Sequence, residues 1–301
     1  MSTDGGSVWS LALDAYYTDG GALAIDPNNS LIIHTGGYVY NGTTYVMAVS
    51  KSTDGGTTWE RDTLTTDYCQ CYAIAIDRSN SNVVYAGGYN AKLFKTTDGG
   101  ASWVSSATGL NGTVNDIKIA STKANTVYAG TSSGVFKSTN AGGNWTNTGL
   151  SASVNAVLIN PSNENEIYAA TTNGIYKSTT GGGGWTAMNT GLLTTNTTSL
   201  GIYPNNWLFC GTNGTGMYCW NIQVGVEEFS GEKDIQKTML QVVPNPFKST
   251  TSIRVQTSAI SSRQKEISMK IYDVSGRIVK RFLLPNGYPA TQSYSNCLGW
   301  L

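Results

Sequence analysis

One pattern recurs five times along the chain: Ser2-Thr-Asp4-Gly-Gly6-Ser-Val-Trp9, Ser52-Thr-Asp54-Gly-Gly56-Thr-Thr-Trp59, Thr96-Thr-Asp98-Gly-Gly100-Ala-Ser-Trp103, Ser138-Thr-Asn140-Ala-Gly142-Gly-Asn-Trp145 and Ser178-Thr-Thr180-Gly-Gly182-Gly-Gly-Trp185. The tryptophans stand 50, 44, 42 and 40 residues apart. A repeat of that length cannot bury an apolar face alone, so successive units must pack on one another. Each interval holds short β-branched and aromatic runs separated by Gly, Asn and Ser. In the third they are Asp116–Ile119, Thr126–Gly130, Gly134–Ser138 and Asn144–Thr146. Four strands per unit, with the Gly-rich motif as the last turn, is the arithmetic of a β-propeller blade.

Composition points the same way. Charged residues are only 13% of the 301, while Gly numbers 35 and Tyr 17, a mixture that favours strands and tight turns. Residues 1–222 carry 9 Lys and Arg against 13 Asp and Glu, and residues 223–301 carry 10 against 6, so the 19 of each sign fall into two distinct parts. The front part has only Arg61 and Arg78 beside its lysines and no basic stripe, which argues against a nucleic-acid binder. No apolar run reaches the roughly 18 residues a membrane span needs. The chain enters its first repeat at Ser2, without the basic and apolar start of a secretory leader, so export is expected to rely on another signal or an upstream segment.

Cys69, Cys71, Cys210, Cys219 and Cys297 are too few for a disulfide scaffold and lack zinc-ligand spacing. Cys210 and Cys219 flank a Gly-, Asn- and Thr-rich turn symmetrically. They are expected either to bridge across a hairpin or to be two buried thiols.

The repeated motif resembles the Asp-box, or BNR repeat, S-x-D-x-G-x-x-W; Asp4, Asp54 and Asp98 keep the acid, and Asn140 and Thr180 replace it. The resemblance implies an all-β propeller in which each box is the turn between the third and fourth strands. The acid would bond turn N–H groups, and Trp9, Trp59, Trp103, Trp145 and Trp185 would pack between sheets. The boxes are thus expected to be architecture, on the face opposite the ligand site. Three-strand sets near 22–50, 73–95, 116–137, 155–177 and 199–220 leave the last set without a fourth strand, while the chain opens with a lone fourth strand at Trp9. Pairing the two predicts a ring of five blades with no open edge; a gene that has lost earlier blades is the alternative.

After Trp220 the repeat stops. The reading is a propeller over 1–222, a charged linker over 223–239 and a second domain over 240–301. Val242-Val-Pro244-Asn-Pro246-Phe247 and Ile271-Tyr-Asp273-Val-Ser-Gly276-Arg277 resemble the hallmarks of the type IX secretion C-terminal (type A) sorting domain. That resemblance implies a small Ig-like β-sandwich, the type IX machinery as partner, and a secreted or cell-surface location. The final dozen residues depart from the family's Gly-x-Tyr ending, so the domain is expected to be incomplete.

Asp-box propellers serve many functions, so residues must decide. A sialidase needs three arginines around the sugar carboxylate, and this front part has two. His34, the only histidine, lies in the apolar segment Leu31–Thr35, where other units place Tyr or Phe, and is expected to be core rather than a base. Paired carboxylates for glycoside hydrolysis would come from Asp19, Asp67 and Asp116, in loops opposite the boxes; Asp26 and Asp77 read as turn formers. Tyr16, Tyr17, Tyr38, Tyr40, Tyr68 and Tyr89 cluster in the first two units and could bind a glycan or a protein, or pack between blades. The expectation is an exported, monomeric, non-catalytic propeller that binds a glycan or protein without metal or cofactor. The alternatives are a xyloglucanase- or sialidase-like glycoside hydrolase and a gene fragment.

Overall fold

The computed structural model describes residues 6–8, 21–203 and 207–222 and, beyond them, the backbone of five strands. Two compact units emerge, Met1–Gln223 and Val224–Leu301. In the first, five antiparallel sheets follow one another along the chain. They comprise β1 (Ala22–Ile25), β2 (Ile33–Tyr40), β3 (Tyr45–Ser52) and β4 (Glu60–Thr63); β5 (Cys71–Asp77), β6 (Asn80–Gly88), β7 (Leu93–Thr96) and β8 (Val104–Ser105); β9 (Val114–Ile119), β10 (Val127–Thr131), β11 (Gly134–Ser138) and β12 (Thr146–Asn147); β13 (Val154–Ile159), β14 (Ile167–Thr171), β15 (Gly174–Ser178) and β16 (Thr186–Ala187); and β17 (Thr197–Tyr203), β18 (Trp207–Thr212) and β19 (Gly216–Asn221). The leading strands β1, β5, β9, β13 and β17 lie side by side in that order, as in a propeller. Asp4, Trp9 and the strand expected to close the ring lie outside the described residues.

The second strand of each sheet shows why the repeat reads as it does. All five residues of β10 and of β14 are buried, because both faces are covered by neighbouring sheets. Such strands are apolar throughout instead of alternating. Their small residues set the sheet spacing. A Cβ on Gly87 would stand 2.6 Å from Val114, and one on Gly130 would stand 2.8 Å from Val154 and Val157. The two seams around the third sheet hold the main apolar cores, Tyr85, Leu93, Val114, Ile117 and Trp145 on one side, Tyr128, Val135, Val154 and Ile167 on the other.

Polar groups stitch the same seams. The Tyr85 hydroxyl and Lys95 ammonium donate to the Ala141 carbonyl of the next sheet at 2.9 and 3.0 Å, and Tyr128 and Lys137 donate to Gly181 O at 3.0 and 2.8 Å. Each ammonium also lies 5.4 Å from its tyrosine's ring centre, a cation–π contact. At the other end Asn115 Nδ2 donates to Val154 O (2.8 Å) and Asn155 Nδ2 to Thr197 O (2.7 Å). Trp145 Nε1 donates to Ser106 O (2.7 Å), and Trp185 Nε1 to Thr148 Oγ1 (3.1 Å).

The box turns lie between the third and fourth strands. Asp54 accepts from Thr57 N, Thr58 N, Thr58 Oγ1 and Ser52 Oγ, and Asp98 from Ser102 N, Ser102 Oγ and Thr96 Oγ1. Led by the Thr58 hydroxyl, these donors hold the Asp54 carboxyl at a pKa of about 2, and those on Asp98, led by the Ser102 hydroxyl, hold it below the usual carboxylate range.

Of the two expectations for Cys210 and Cys219, a bridge or two buried thiols, the bridge does not form and only Cys210 is buried. Cys210 pairs with Tyr218 and Cys219 with Phe209, so the hairpin register is one residue away from bringing the cysteines opposite one another. Their side chains leave the sheet on opposite faces, Cys210 buried and Cys219 exposed.

In the second unit, β20 (Thr238–Val243), β21 (Ser252–Thr257) and β24 (Thr291–Ser295) form one antiparallel sheet, and β22 (Ile267–Tyr272) and β23 (Ile278–Leu284) form another. The Pro244–Phe247 and Asp273–Gly276 segments and Cys297 lie outside the described residues. No helix among the described residues is long and apolar enough to cross a membrane.

Candidate functional site

Opposite the box turns, three connections meet: the β2–β3 hairpin, the loop of residues 64–70 from β4 to β5, and the β6–β7 connection. Backbone bonds fix them to one another. Cys69 N donates to Tyr45 O (3.0 Å), and Tyr89 N donates to Gln70 O (3.0 Å). The middle loop is held further by Thr65 Oγ1, which accepts from Met47 N (2.9 Å) and donates to Asp67 O (3.1 Å). These are the loops of a preformed surface, because their backbone groups are satisfied inside the fold.

That surface is aromatic. Tyr45 receives Tyr38 and Tyr40 at ring-centre distances of 5.0 and 5.4 Å, and Tyr68 meets Tyr89 edge-to-face at 5.6 Å and 77°. Tyr40, Tyr45, Tyr68 and Tyr89 are 44 to 53% exposed, far more than rings that close a core. Beside them Lys92 Nζ and Asp67 Oδ2 form an exposed ion pair at 3.3 Å. Of the tyrosines singled out in the sequence, the fold thus brings Tyr38 and Tyr40 onto one hairpin and pairs Tyr68 with Tyr89. Tyr16, Tyr17 and Asp19 lie outside the described residues.

The candidate acids are not poised alike. Asp67 is solvated and paired with Lys92. Asp116, expected in a loop, lies in β9, where Lys118 Nζ (2.6 Å) and Ile117 N (2.9 Å) bond Oδ1 and Val157 N (2.8 Å) donates to Oδ2. Both oxygens are thus engaged, one of them across the seam to the fourth sheet, which suits a structural tie rather than proton transfer. Asp26 and Asp77 accept from the backbone N–H two residues on, at 2.8 Å each, as turn formers do. His34 is 1% exposed, and neither ring nitrogen has a hydrogen-bond partner among the described residues. Among the described residues no three His, Cys, Asp or Glu side chains converge as metal ligands would.

The family profile described as photosynthesis system II assembly factor YCF48 matches residues 27–256, 230 of the 301. The chain belongs to the YCF48 family. No curated protein sequence matches it. Among solved structures it resembles YCF48 bound to D1 peptide, at 19% identity and TM-score 0.51, over 67% of this chain and 65% of that one. It also resembles an ancestral GH74 enzyme, at 18% identity and TM-score 0.57, over 89% of this chain but only 39% of the enzyme. A third likeness is Sqt1 from Chaetomium thermophilum bound to the N-terminus of the ribosomal protein L10, at 13% identity and TM-score 0.55, over 89% and 75%. At such identities these likenesses establish the propeller fold alone.

In this YCF48-family chain two ring residues escaped the sequence reading. Tyr45 lies opposite Tyr40 in the hairpin, a partnership only the register reveals. Tyr72 sits at the bulge where β5 begins, as Asn115, Asn155 and Thr198 sit in the later leading strands. Burial, then its neighbours Tyr68, Cys69 and Tyr89, raises its phenol pKa. Aligning the repeats at the bulge would have found it, because Asn115 and Asn155 use that position to stitch seams and a tyrosine there must do something else.

Proposed function

We propose that the chain is a non-catalytic propeller that captures an extended polypeptide segment on the face formed by Tyr38, Tyr40, Tyr45, Tyr68 and Tyr89. One observation carries this reading: two groups of largely exposed, non-coplanar rings, one on the β2–β3 hairpin and one joining the 64–70 loop to the β6–β7 connection, stand on loops whose backbones are bonded to one another. Edge-to-face pairs make a ridged surface with phenol hydroxyls at its rim, suited to alternating side chains and backbone amides. A sugar ring would find no broad flat platform there. Membership in a family of assembly factors supports the reading, as do a family member solved with a peptide and a propeller solved with the N-terminus of a ribosomal protein. A glycoside hydrolase is disfavoured, since Asp116 is tied into a seam and Asp67 is held by Lys92. We further propose, on the Pro244–Phe247 and Ile271–Arg277 motifs, that the second unit is a type IX sorting domain and the protein is exported.

The test is to screen the full chain on arrayed peptides and arrayed glycans while assaying reducing-end release from the same polysaccharides. Peptide capture that falls at least about tenfold in Tyr68→Ala and Tyr89→Ala, equivalent to about 1.4 kcal/mol per site, supports the reading. Glycan capture without peptide capture overturns the ligand class, and sugar release lost in Asp67→Ala overturns the non-catalytic assignment. Export is checked by comparing the medium of a type IX host expressing the chain with and without residues 240–301; equal secretion overturns the sorting role.

A further inference from the structure

The fifth box differs from the three before it in one respect that leaves donors unused. In the second and third motifs, Asp54 and Asp98 accept the N–H of Thr58 and Ser102, and in the next Asn140 Oδ1 accepts Asn144 N at 2.9 Å. Thr180 stands at this position in the last described box. Its hydroxyl reaches only Ser178 Oγ, at 3.4 Å. The N–H groups of Gly183 and Gly184, which correspond to Thr57 and Thr58, make no hydrogen bond among the described residues, and both glycines are exposed. A Cβ built on Gly184 would meet nothing within 4 Å, whereas one on Gly183 would meet Thr180 Oγ1 at 3.0 Å, so the turn is open on the Gly184 side.

The turn forms one wall of a groove of about 560 Å³ between the third and fourth sheets. Asn144, Asn147 and Thr148 stand on the other wall with Lys137, whose ammonium lies 2.8 Å from Gly181 O. The groove lining contains no acidic side chain and one cation. Adjacent backbone N–H groups on the wall of a groove that also holds an ammonium suit an anion, and the second motif states which kind, since there both equivalent donors hold a carboxylate.

We propose that the Thr180 turn is a carboxylate-binding site, filled by an acidic side chain or chain terminus of a partner polypeptide in the place the box aspartate takes in the second and third motifs. The side-chain amides of Asn144 and Asn147 supply further contacts for the peptide groups flanking that carboxylate. This site is separate from the tyrosine face and does not depend on it.

The full chain labelled with ¹⁵N-glycine tests this directly. Sodium acetate, compared with sodium chloride at equal ionic strength, is expected to move the Gly183 and Gly184 amide resonances saturably. An acetylated glycine–aspartate–glycine amide is expected to do so at lower concentration. Thr180→Asp, which supplies the carboxylate from within, is expected to show these resonances already displaced and to weaken the acetate response by about tenfold or more; Thr180→Val, which keeps the donors, is expected to respond as the wild type does. Resonances that move equally in chloride, or a Thr180→Asp protein that responds like the wild type, would overturn the site. A blocked peptide that binds no more tightly than acetate would overturn the polypeptide as its source.

Discussion

His34 occupies in the first sheet the position that Tyr85, Tyr128 and Tyr168 hold in the next three. It lies opposite Lys51, as they lie opposite Lys95, Lys137 and Lys177. Its ring packs toward the box of the following sheet, 3.6 Å from where a Cβ on Gly100 would stand. Burial, then the charge of Lys51, lowers its pKa to about 4, with Asp26 opposing. An unfolded chain protonates histidine near 6.5, so it binds more protons than the folded one between about pH 6.5 and 4. Stability is therefore expected to fall as pH drops through that window and to level off below it, a loss of up to about 3 kcal/mol. Urea unfolding at pH 7, 5.5 and 4.5 checks this against His34→Leu; identical slopes in the two proteins would remove histidine from the account. That the residue is core was legible from its apolar neighbours. The role of Asp116 was not, because its partner is a backbone N–H 41 residues away, and a backbone amide leaves no mark in a sequence.

At the scale of the strand and turn, the repeats declared themselves through their tryptophans. Tight turns need Gly and Asp at fixed offsets, so the box bonds could be anticipated residue by residue. Register could not: whether Cys210 faces Cys219 turns on a single residue of offset in the β18–β19 hairpin. Sheet spacing offers a sharper test. Gly130→Ala puts a methyl where Val154 and Val157 already stand and is expected to cost about 1 to 3 kcal/mol, read as a lower urea midpoint with an unchanged slope. The fourth sheet carries Ala170 at the equivalent position, so Ala170→Gly is expected to cost less. Tyr128→Phe removes one of two donors to Gly181 O and is expected to cost about 1 kcal/mol. A loss near zero would assign that carbonyl wholly to Lys137.

For the whole unit, each sheet bonds chiefly to its neighbours, so substitutions at separate seams should add. Tyr85→Phe at the second seam and Asn155→Ala at the fourth are expected to sum to within about 0.5 kcal/mol. Tyr128→Phe and Lys137→Met remove the two donors of one carbonyl, Gly181 O, and are expected to couple. Thermal unfolding of the single and double variants measures both. The arrangement of successive four-stranded sheets was open to sequence reading because a period near 40 residues admits few alternatives, whereas the tyrosine face required three loops from different sheets to be brought together.

The seam bonds also have a direction. Tyr85 and Lys95 reach forward to Ala141, Tyr128 and Lys137 to Gly181, Asn115 to Val154 and Asn155 to Thr197, so these tyrosine, lysine and asparagine donors are made before their acceptors, whereas Trp145, Trp185 and the Val157 N–H reach back to Ser106, Thr148 and Asp116. On the ribosome, each newly formed sheet must therefore wait for 39 to 56 more residues before these hydroxyl, ammonium and amide groups find their protein partners. A chain paused after Thr148 would display Tyr128 and Lys137 to water and to chaperones, and synthesis of the fourth sheet would withdraw them.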